Sequence, residues 1–132
     1  MMEQEIMEAL NDPSNIIICG GTRCGKTTQV PQFLYETGYG SSKSHVHSGI
    51  IGVTQPRRVA VLATAKRVAY ELGLHLGKQV GFQVRYDKMI GDNCSIKFMT
   101  DGILLRVQVV MFYITIFFSL VHFRSSIKFI VV

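Results

Sequence analysis

Two patterns of hydrophobic and polar residues alternate along the first 106 residues of the chain. Short runs rich in β-branched residues predict strands that are buried on both faces. Apolar residues that recur every three or four positions predict helices with one buried side. The predicted strands cover residues 15–19, 49–54, 80–84 and 95–99, and the predicted helices cover residues 2–10, 26–36, 57–72 and a segment that begins near residue 103.

The alternation of strands and helices predicts the fold class. The helix predicted over 57–72 has the clearest pattern, with Val61, Ala65, Val68 and Leu72 on one side. Strands connected by helices indicate an α/β domain with a mostly parallel sheet. A chain of 132 residues fits one small domain of this kind.

The composition is that of a folded protein from a reducing compartment. The chain is 48% hydrophobic and 17% charged, which excludes a disordered chain. Its three cysteines, Cys19, Cys24 and Cys94, are an odd number without the spacing of a zinc site, so neither a disulfide framework nor a zinc module is supported. The first residues are acidic where a secretory signal is basic. We therefore expect the cytosol or the nucleus.

The composition changes near Arg106. Every Gly, Pro, Asp and Glu lies within residues 1–106, and residues 107–132 carry only Arg124 and Lys128 as formal charges. The net charge of +5 is thus unevenly distributed. We treat residues 1–106 as the predicted domain and residues 107–132 as an apolar tail.

A phosphate-binding motif follows the first predicted strand. Residues 20–27 read Gly-Gly-Thr-Arg-Cys-Gly-Lys-Thr and match the pattern G-x-x-x-x-G-K-[ST]. Glycines allow backbone N–H groups to surround phosphate oxygens at the start of a helix. In this pattern Lys26 reaches the β- and γ-phosphates and the Thr27 hydroxyl holds Mg²⁺. The alternative is a glycine turn before a helix with no role in binding. It is disfavoured because roughly 0.007 chance matches to this pattern are expected in a chain of this composition.

Three segments of the chain resemble conserved motifs of the DEAH-box RNA helicases. They are GGTRCGKTTQVPQ at 20–32, TQPRRVAV at 54–61 and TDGILLR at 100–106, in the family's order and spacing. The sequences in and around these motifs, FLYETGYGS and IKFMTDGILL, are most similar to the nucleolar subgroup that acts in pre-ribosomal RNA processing, and to its plant members in particular. The resemblance covers residues 1–106 and stops there.

The resemblance implies a truncated first RecA-like domain of the P-loop NTPase class that binds ATP, Mg²⁺ and RNA. It also implies pre-ribosomal RNA and ribosome-assembly proteins as partners, in the nucleus and nucleolus. In the family an arginine of the long helix stacks on the adenine, and Arg67 has that position. The nucleotide residues that it implies are Gly20, Gly21, Thr22, Arg23, Cys24, Gly25, Lys26, Thr27, Thr28 and Arg67, with Thr27 also the metal ligand. The implied RNA-backbone residues are Pro56, Arg57, Arg58, Thr100, Asp101 and Gly102.

Each implied residue outside the phosphate loop also has a simpler interpretation. Arg57 and Arg58 are solvated charges at the start of a helix, Asp101 is a helix cap, and Arg67 is a surface residue of an amphipathic helix. Without the resemblance, these interpretations are the default.

Two departures from the family pattern bear on activity. Gly21 stands where the family has an acid or amide, and Arg23 stands where it has a glycine. Because a non-glycine residue resists a positive φ, we expect Arg23 to weaken ATP binding. The DEAH box, the Ser-Ala-Thr motif and the second RecA-like domain do not occur in the sequence. Phosphoryl transfer needs metal, positioned water and arginine together, so we expect this chain by itself neither to hydrolyse ATP efficiently nor to unwind RNA.

The tail admits three interpretations. Val107–Phe123 is an apolar run of 17 residues, near the lower limit for a membrane-spanning helix. Its β-branched and aromatic residues also suit an aggregating strand. We favour read-through of a retained intron, because Val107 stands where the family has an acidic residue and the tail's residue types are those of T-rich codons. Membrane attachment is therefore not the expected outcome.

Three functional hypotheses follow. The chain is a member of the helicase family, a catalytically inactive fragment that binds nucleotide or RNA, or a small tail-anchored membrane protein.

Overall fold

The computed structural model describes residues 4, 5, 8, 25–41, 50–106 and 129–130. Residues 4, 5 and 8 are helical, as predicted for 2–10. The longer elements in chain order are helix α1 (Lys26–Glu36), strand β1 (Ile51–Gln55), helix α2 (Arg58–Leu72), strands β2 (Val80–Val84), β3 (Asp87–Met89) and β4 (Ile96–Thr100), a helical segment over 101–106, and strand β5 (Phe129–Ile130).

The strands form one sheet in the order β3-β2-β4-β1-β5. β2, β4, β1 and β5 run parallel to one another, and β3 alone is antiparallel to its neighbour β2. β4 lies in the middle, with Ile96 and Phe98 fully buried. The α/β class and the mostly parallel sheet are therefore confirmed.

The hydrophobic core of the described residues lies on the face of the sheet that α1 and α2 cover. Alternate strand residues point to opposite faces, and the core contains Val53, Phe82 and Phe98 of the strands. Val61 and Val68 of α2 pack against them with no exposed surface. The opposite face carries Gly52, Gly81 and Lys97 in one cross-strand row.

Most predicted boundaries agree with the structure to within two residues. α1 continues through Pro31, and α2 ends at Leu72. The next residue, Gly73, has a φ of 67°, the left-handed conformation common after helices. The helix predicted near residue 103 begins at residue 101. β3 was not predicted, because its three residues are all exposed and show no apolar alternation.

Several expectations lie outside the described residues. They are the strand over 15–19, most of the loop over 38–48, and the boundary between the domain and the tail. Among the residues that the structure describes, no helix is long and apolar enough to cross a membrane. Val107–Phe123, the run considered as an anchor, is not among those residues.

Candidate nucleotide and RNA site

The last residue of the predicted phosphate loop is Gly25, which caps α1. Gly25 has a φ of 80° and a ψ of 12°, which is left-handed backbone that favours glycine. Its carbonyl accepts hydrogen bonds from the backbone N–H groups of Thr28 at 3.2 Å and Gln29 at 2.7 Å. A Cβ atom at Gly25 would lie 3.2 Å from Cγ of Gln29. The loop therefore turns into the helix in a conformation that a side chain would strain.

The first turn of α1 has the chemistry of an anion site. The first N–H groups of a helix have no acceptor within the helix, and the helix dipole adds partial positive charge there. No acidic residue occurs in this turn of α1, so no carboxylate competes with a bound anion. The residues present thus fit phosphate groups at the N-terminus of α1.

The two threonines after Lys26, Thr27 and Thr28, differ in whether the hydroxyl is already used in a hydrogen bond within the helix. The Thr28 hydroxyl donates to the Gly25 carbonyl at 3.1 Å, so it is used inside the helix turn. Thr27 is half-buried, and its position directly after the lysine is that of the Mg²⁺ ligand in the motif. Gly20, Gly21, Thr22, Arg23 and Cys24 lie outside the described residues, and their roles stay predictions.

The segments implied in RNA binding meet at one edge of the sheet. Gln55, the last residue of β1, is the register partner of Thr100, the last residue of β4. Pro56, Arg57 and Arg58 follow β1 and are exposed. Residues 101 and 102 follow β4 and are exposed as well. The structure therefore places the six implied residues side by side at the carboxyl ends of parallel strands.

Arg57 and Asp101 agree only in part with their simpler interpretations, which are a charge at the start of a helix and a helix cap. Arg57 precedes the first helical residue of α2, and its carbonyl accepts from the N–H of Val61 at 3.1 Å, but its side chain forms no capping hydrogen bond. Asp101 is already helical, so the cap position belongs to Thr100 rather than to Asp101. The helix thus begins two residues before the expected start near residue 103.

Arg67 belongs to a hydrogen-bonded group that joins α1 to α2. Its Nε donates to Oε1 of Glu71 at 2.8 Å. Oε2 of the same carboxylate accepts from Nε2 of Gln32 at 2.5 Å, and Gln32 also donates to the Thr28 carbonyl at 2.9 Å. These hydrogen bonds, from Gln32 first and Arg67 second, hold the pKa of Glu71 below its ordinary value. Glu71 is therefore a carboxylate at neutral pH.

Four residues near the site were not found from the sequence. Gln32 and Glu71 are 39 positions apart and meet only in the folded chain. The spacing of Arg67 and Glu71, four positions on one helix, was a signal that could have indicated their pairing. Arg85 and Tyr86 form the loop between β2 and β3, at the same carboxyl edge. The Arg85 guanidinium carbon lies 4.9 Å from the centroid of the Tyr86 ring.

Comparison with known proteins finds close similarity to helicases. The chain is 76% identical over 106 residues to the ATP-dependent RNA helicase DEAH13 of Arabidopsis thaliana, a match that covers 80% of this chain. It is 50% identical over 119 residues, 90% of this chain, to the probable ATP-dependent RNA helicase DHR1 of Saccharomyces cerevisiae. It is 52% identical over 104 residues, 79% of this chain, to the probable ATP-dependent RNA helicase DHX37 of Homo sapiens. The chain spans only 8–9% of the length of these relatives. No protein-family model matches it.

Proposed function

Because this chain belongs to the DEAH-box ATP-dependent RNA helicases, of which it spans a short segment, we propose that it binds ATP at the N-terminus of α1 and RNA at the carboxyl edge of the sheet. The observation that carries the nucleotide site is Gly25, which holds a φ of 80° directly before Lys26 and Thr27. A left-handed glycine at that point ends a phosphate-binding loop and opens the helix toward the anion.

Each nucleotide residue has a distinct task in this proposal. The backbone N–H groups of residues 20–25 surround the phosphates, and Lys26 neutralises the β- and γ-phosphates. Thr27 would hold Mg²⁺, which would supply positive charge to the phosphates. The resemblance to the family implies that Arg67 lies beside the base, and Glu71 and Gln32 connect it to the helix at whose start the phosphates bind in this proposal.

The RNA site uses the exposed charges and donors at the carboxyl edge. Arg57 and Arg58 supply guanidinium groups for phosphates, and Thr100, Asp101 and Gly102 supply hydroxyl and backbone groups to the adjacent sugar–phosphate. Such contacts hold the strand without reading its bases. We further propose pre-ribosomal RNA as the target, ribosome-assembly proteins as partners and the nucleolus as the location.

We propose binding without efficient turnover for this segment. The residues proposed for Mg²⁺ and phosphate contact occur in this segment of 132 residues, whereas the sequence Asp-Glu-Ala-His does not. Phosphoryl transfer needs a positioned water and an arginine in addition to the metal, and this proposal assigns neither of them to a residue of the segment. ATP hydrolysis and RNA remodelling are then properties of a complete helicase core.

The test is ATP binding by the full chain and by Lys26→Ala, measured by calorimetry in the presence of Mg²⁺. We expect binding by the wild type and a loss of about tenfold or more in affinity in the variant, because an ammonium–phosphate contact is removed. Lys78→Ala is the matched control, since Lys78 is exposed just before β2, at the amino ends of the parallel strands. Equal affinity of Lys26→Ala and the wild type would contradict the nucleotide site. Phosphate release at a rate typical of helicases would contradict binding without turnover.

A further inference from the structure

Arg67 is held in place by a chain of hydrogen bonds that begins in the first turn of α1. The Thr28 carbonyl accepts from Gln32, Gln32 donates to Glu71, and Glu71 accepts from Arg67. An amide NH₂ group has two hydrogens, and Gln32 uses one for each of its two partners. The group thus connects the start of the phosphate-binding helix to the guanidinium on the neighbouring helix.

The exposed fraction increases along these hydrogen bonds, from Gln32 through Glu71 to Arg67. Gln32 is 8% exposed, the Glu71 side chain is 26% exposed, and the Arg67 side chain is 70% exposed. A largely exposed ion pair contributes little to stability. A buried amide that fixes one end of such a pair instead restricts the rotamers of the two long side chains. The arrangement therefore orients Arg67 more than it stabilises the domain.

The atoms that Arg67 uses leave its planar face available. Glu71 takes the Nε–H group, so the two terminal NH₂ groups are not needed for this contact. A guanidinium plane stacks on aromatic rings by cation–π and dispersion attraction. A guanidinium already fixed in one orientation loses less conformational entropy when a ring is placed on it.

We propose that Glu71 and Gln32 are positioning residues for the nucleotide base: they orient the Arg67 guanidinium to stack on adenine. The inference rests on the proposed nucleotide site and names the residues that control its contact with the base. Neither Glu71 nor Gln32 touches the nucleotide. Because Gln32 is also bonded to the first turn of α1, the orientation of Arg67 is tied to the helix that receives the phosphates.

The experiment compares two ligands that share phosphates but not a base. Dissociation constants for Mg·ATP and for Mg·tripolyphosphate are measured by calorimetry on the full chain. The variants are Glu71→Ala, Gln32→Ala, Arg67→Ala, the double variant Arg67→Ala/Glu71→Ala, and Glu71→Gln. Glu36→Ala removes an equivalent charge at the exposed end of α1 and is the control.

We expect Glu71→Ala to weaken ATP binding about fivefold and to leave tripolyphosphate binding unchanged. Gln32→Ala changes the same ratio in the same direction. The double variant binds ATP no more weakly than Arg67→Ala, because Glu71 acts only through Arg67. Glu71→Gln keeps an oxygen acceptor for Arg67 and restores part of the ATP affinity.

Three outcomes overturn the inference. One is an unchanged ratio of ATP to tripolyphosphate affinity in Glu71→Ala. Another is an equal loss for both ligands, which indicates a structural effect on the domain. The third is a further loss in the double variant beyond that of Arg67→Ala. If the wild type binds neither ligand, the proposed nucleotide site fails, and the inference fails with it; if it binds both and Glu71→Ala changes nothing, only the inference fails.

Discussion

Gln55 and Thr100 are direct partners in the parallel register of β1 and β4, although 45 positions separate them in the sequence. Each is the last residue of its strand, so the segments that follow them begin at the same level. This register brings the start of the segment with the arginines after β1 to the same level as the start of the helical segment after β4. The surface that we propose for RNA is therefore built from two segments that are far apart along the chain.

The first prediction concerns the charge of this edge. Replacement of Arg57 by alanine is expected to weaken binding of a single-stranded RNA oligonucleotide and to reduce the slope of log K against log salt by about 0.7, the value for one lost phosphate contact. Fluorescence anisotropy over a salt series measures both quantities.

Lys78→Ala is the control for that experiment. Lys78 is exposed just before β2 starts, at the opposite edge of the sheet, and the variant changes the net charge by the same amount. We expect its slope to equal that of the wild type. Equal slopes for Arg57→Ala and Lys78→Ala would assign RNA binding to overall charge and not to this edge.

The second prediction concerns Gly25. Alanine at this position must adopt a φ of 80° and brings Cβ to 3.2 Å from Gln29, which is expected to lower the free energy of unfolding by about 1–2 kcal/mol. It also displaces the loop end from the helix start, so tripolyphosphate binding is lost. Urea denaturation and calorimetry measure the two effects.

Gly38→Ala separates strain from site damage. Gly38 has a φ of 96°, and a Cβ there meets no atom within 4 Å. This variant is expected to lose comparable stability and to bind tripolyphosphate like the wild type. A Gly25→Ala protein that binds tripolyphosphate normally would show that the left-handed glycine is not needed for the phosphates.

The third prediction concerns the loop between β2 and β3. Tyr86 is 87% exposed and has a φ of 68°, which a side chain disfavours. Glycine at this position is expected to raise the free energy of unfolding by about 1 kcal/mol, because the strain is removed and little burial is lost. Tyr86→Ala keeps the Cβ atom and is expected to leave stability nearly unchanged. An equal gain in both variants would contradict backbone strain as the cause.

The fourth prediction concerns Lys97, which is half-buried on the sheet face opposite to the core. Burial lowers the pKa of its ammonium below the ordinary 10.5. The folded protein therefore releases this proton at a lower pH than the unfolded chain does. Below the folded pKa the charged form costs stability, and the free energy of unfolding rises as the pH increases through that value toward 10.5.

Denaturation of Lys97→Met against pH tests this effect. The variant is expected to lack the rise and to be more stable than its parent at pH 7. Burial raises the pKa of the nearby Cys94 thiol, and this has the opposite sign above its ordinary value. Both proteins are therefore compared in a Cys94→Ala background. A parent protein that shows no rise with pH, or a less stable Lys97→Met variant, would disagree with the prediction.

Much of the fold follows from local patterns in the sequence. The spacing of Val61, Ala65 and Val68 predicted α2, and the run Val80–Val84 was predicted with both ends correct. These predictions succeed because helix and strand periodicity depend on neighbours within a few positions. β3 was missed for the same reason, since its polar residues form a strand only by pairing with β2.

By itself, then, the sequence determined the elements, the α/β class and the start of α1 at Lys26, because periodicity and glycine backbone freedom act locally. Its resemblance to the DEAH-box helicases indicated candidate site residues, and their roles stay predictions. Only the tertiary structure decided the strand order, the meeting of Gln55 with Thr100 and the bond from Gln32 to Glu71. Those relationships depend on which distant segments pair and pack, and no local pattern specifies a contact between residues 39 or 45 positions apart.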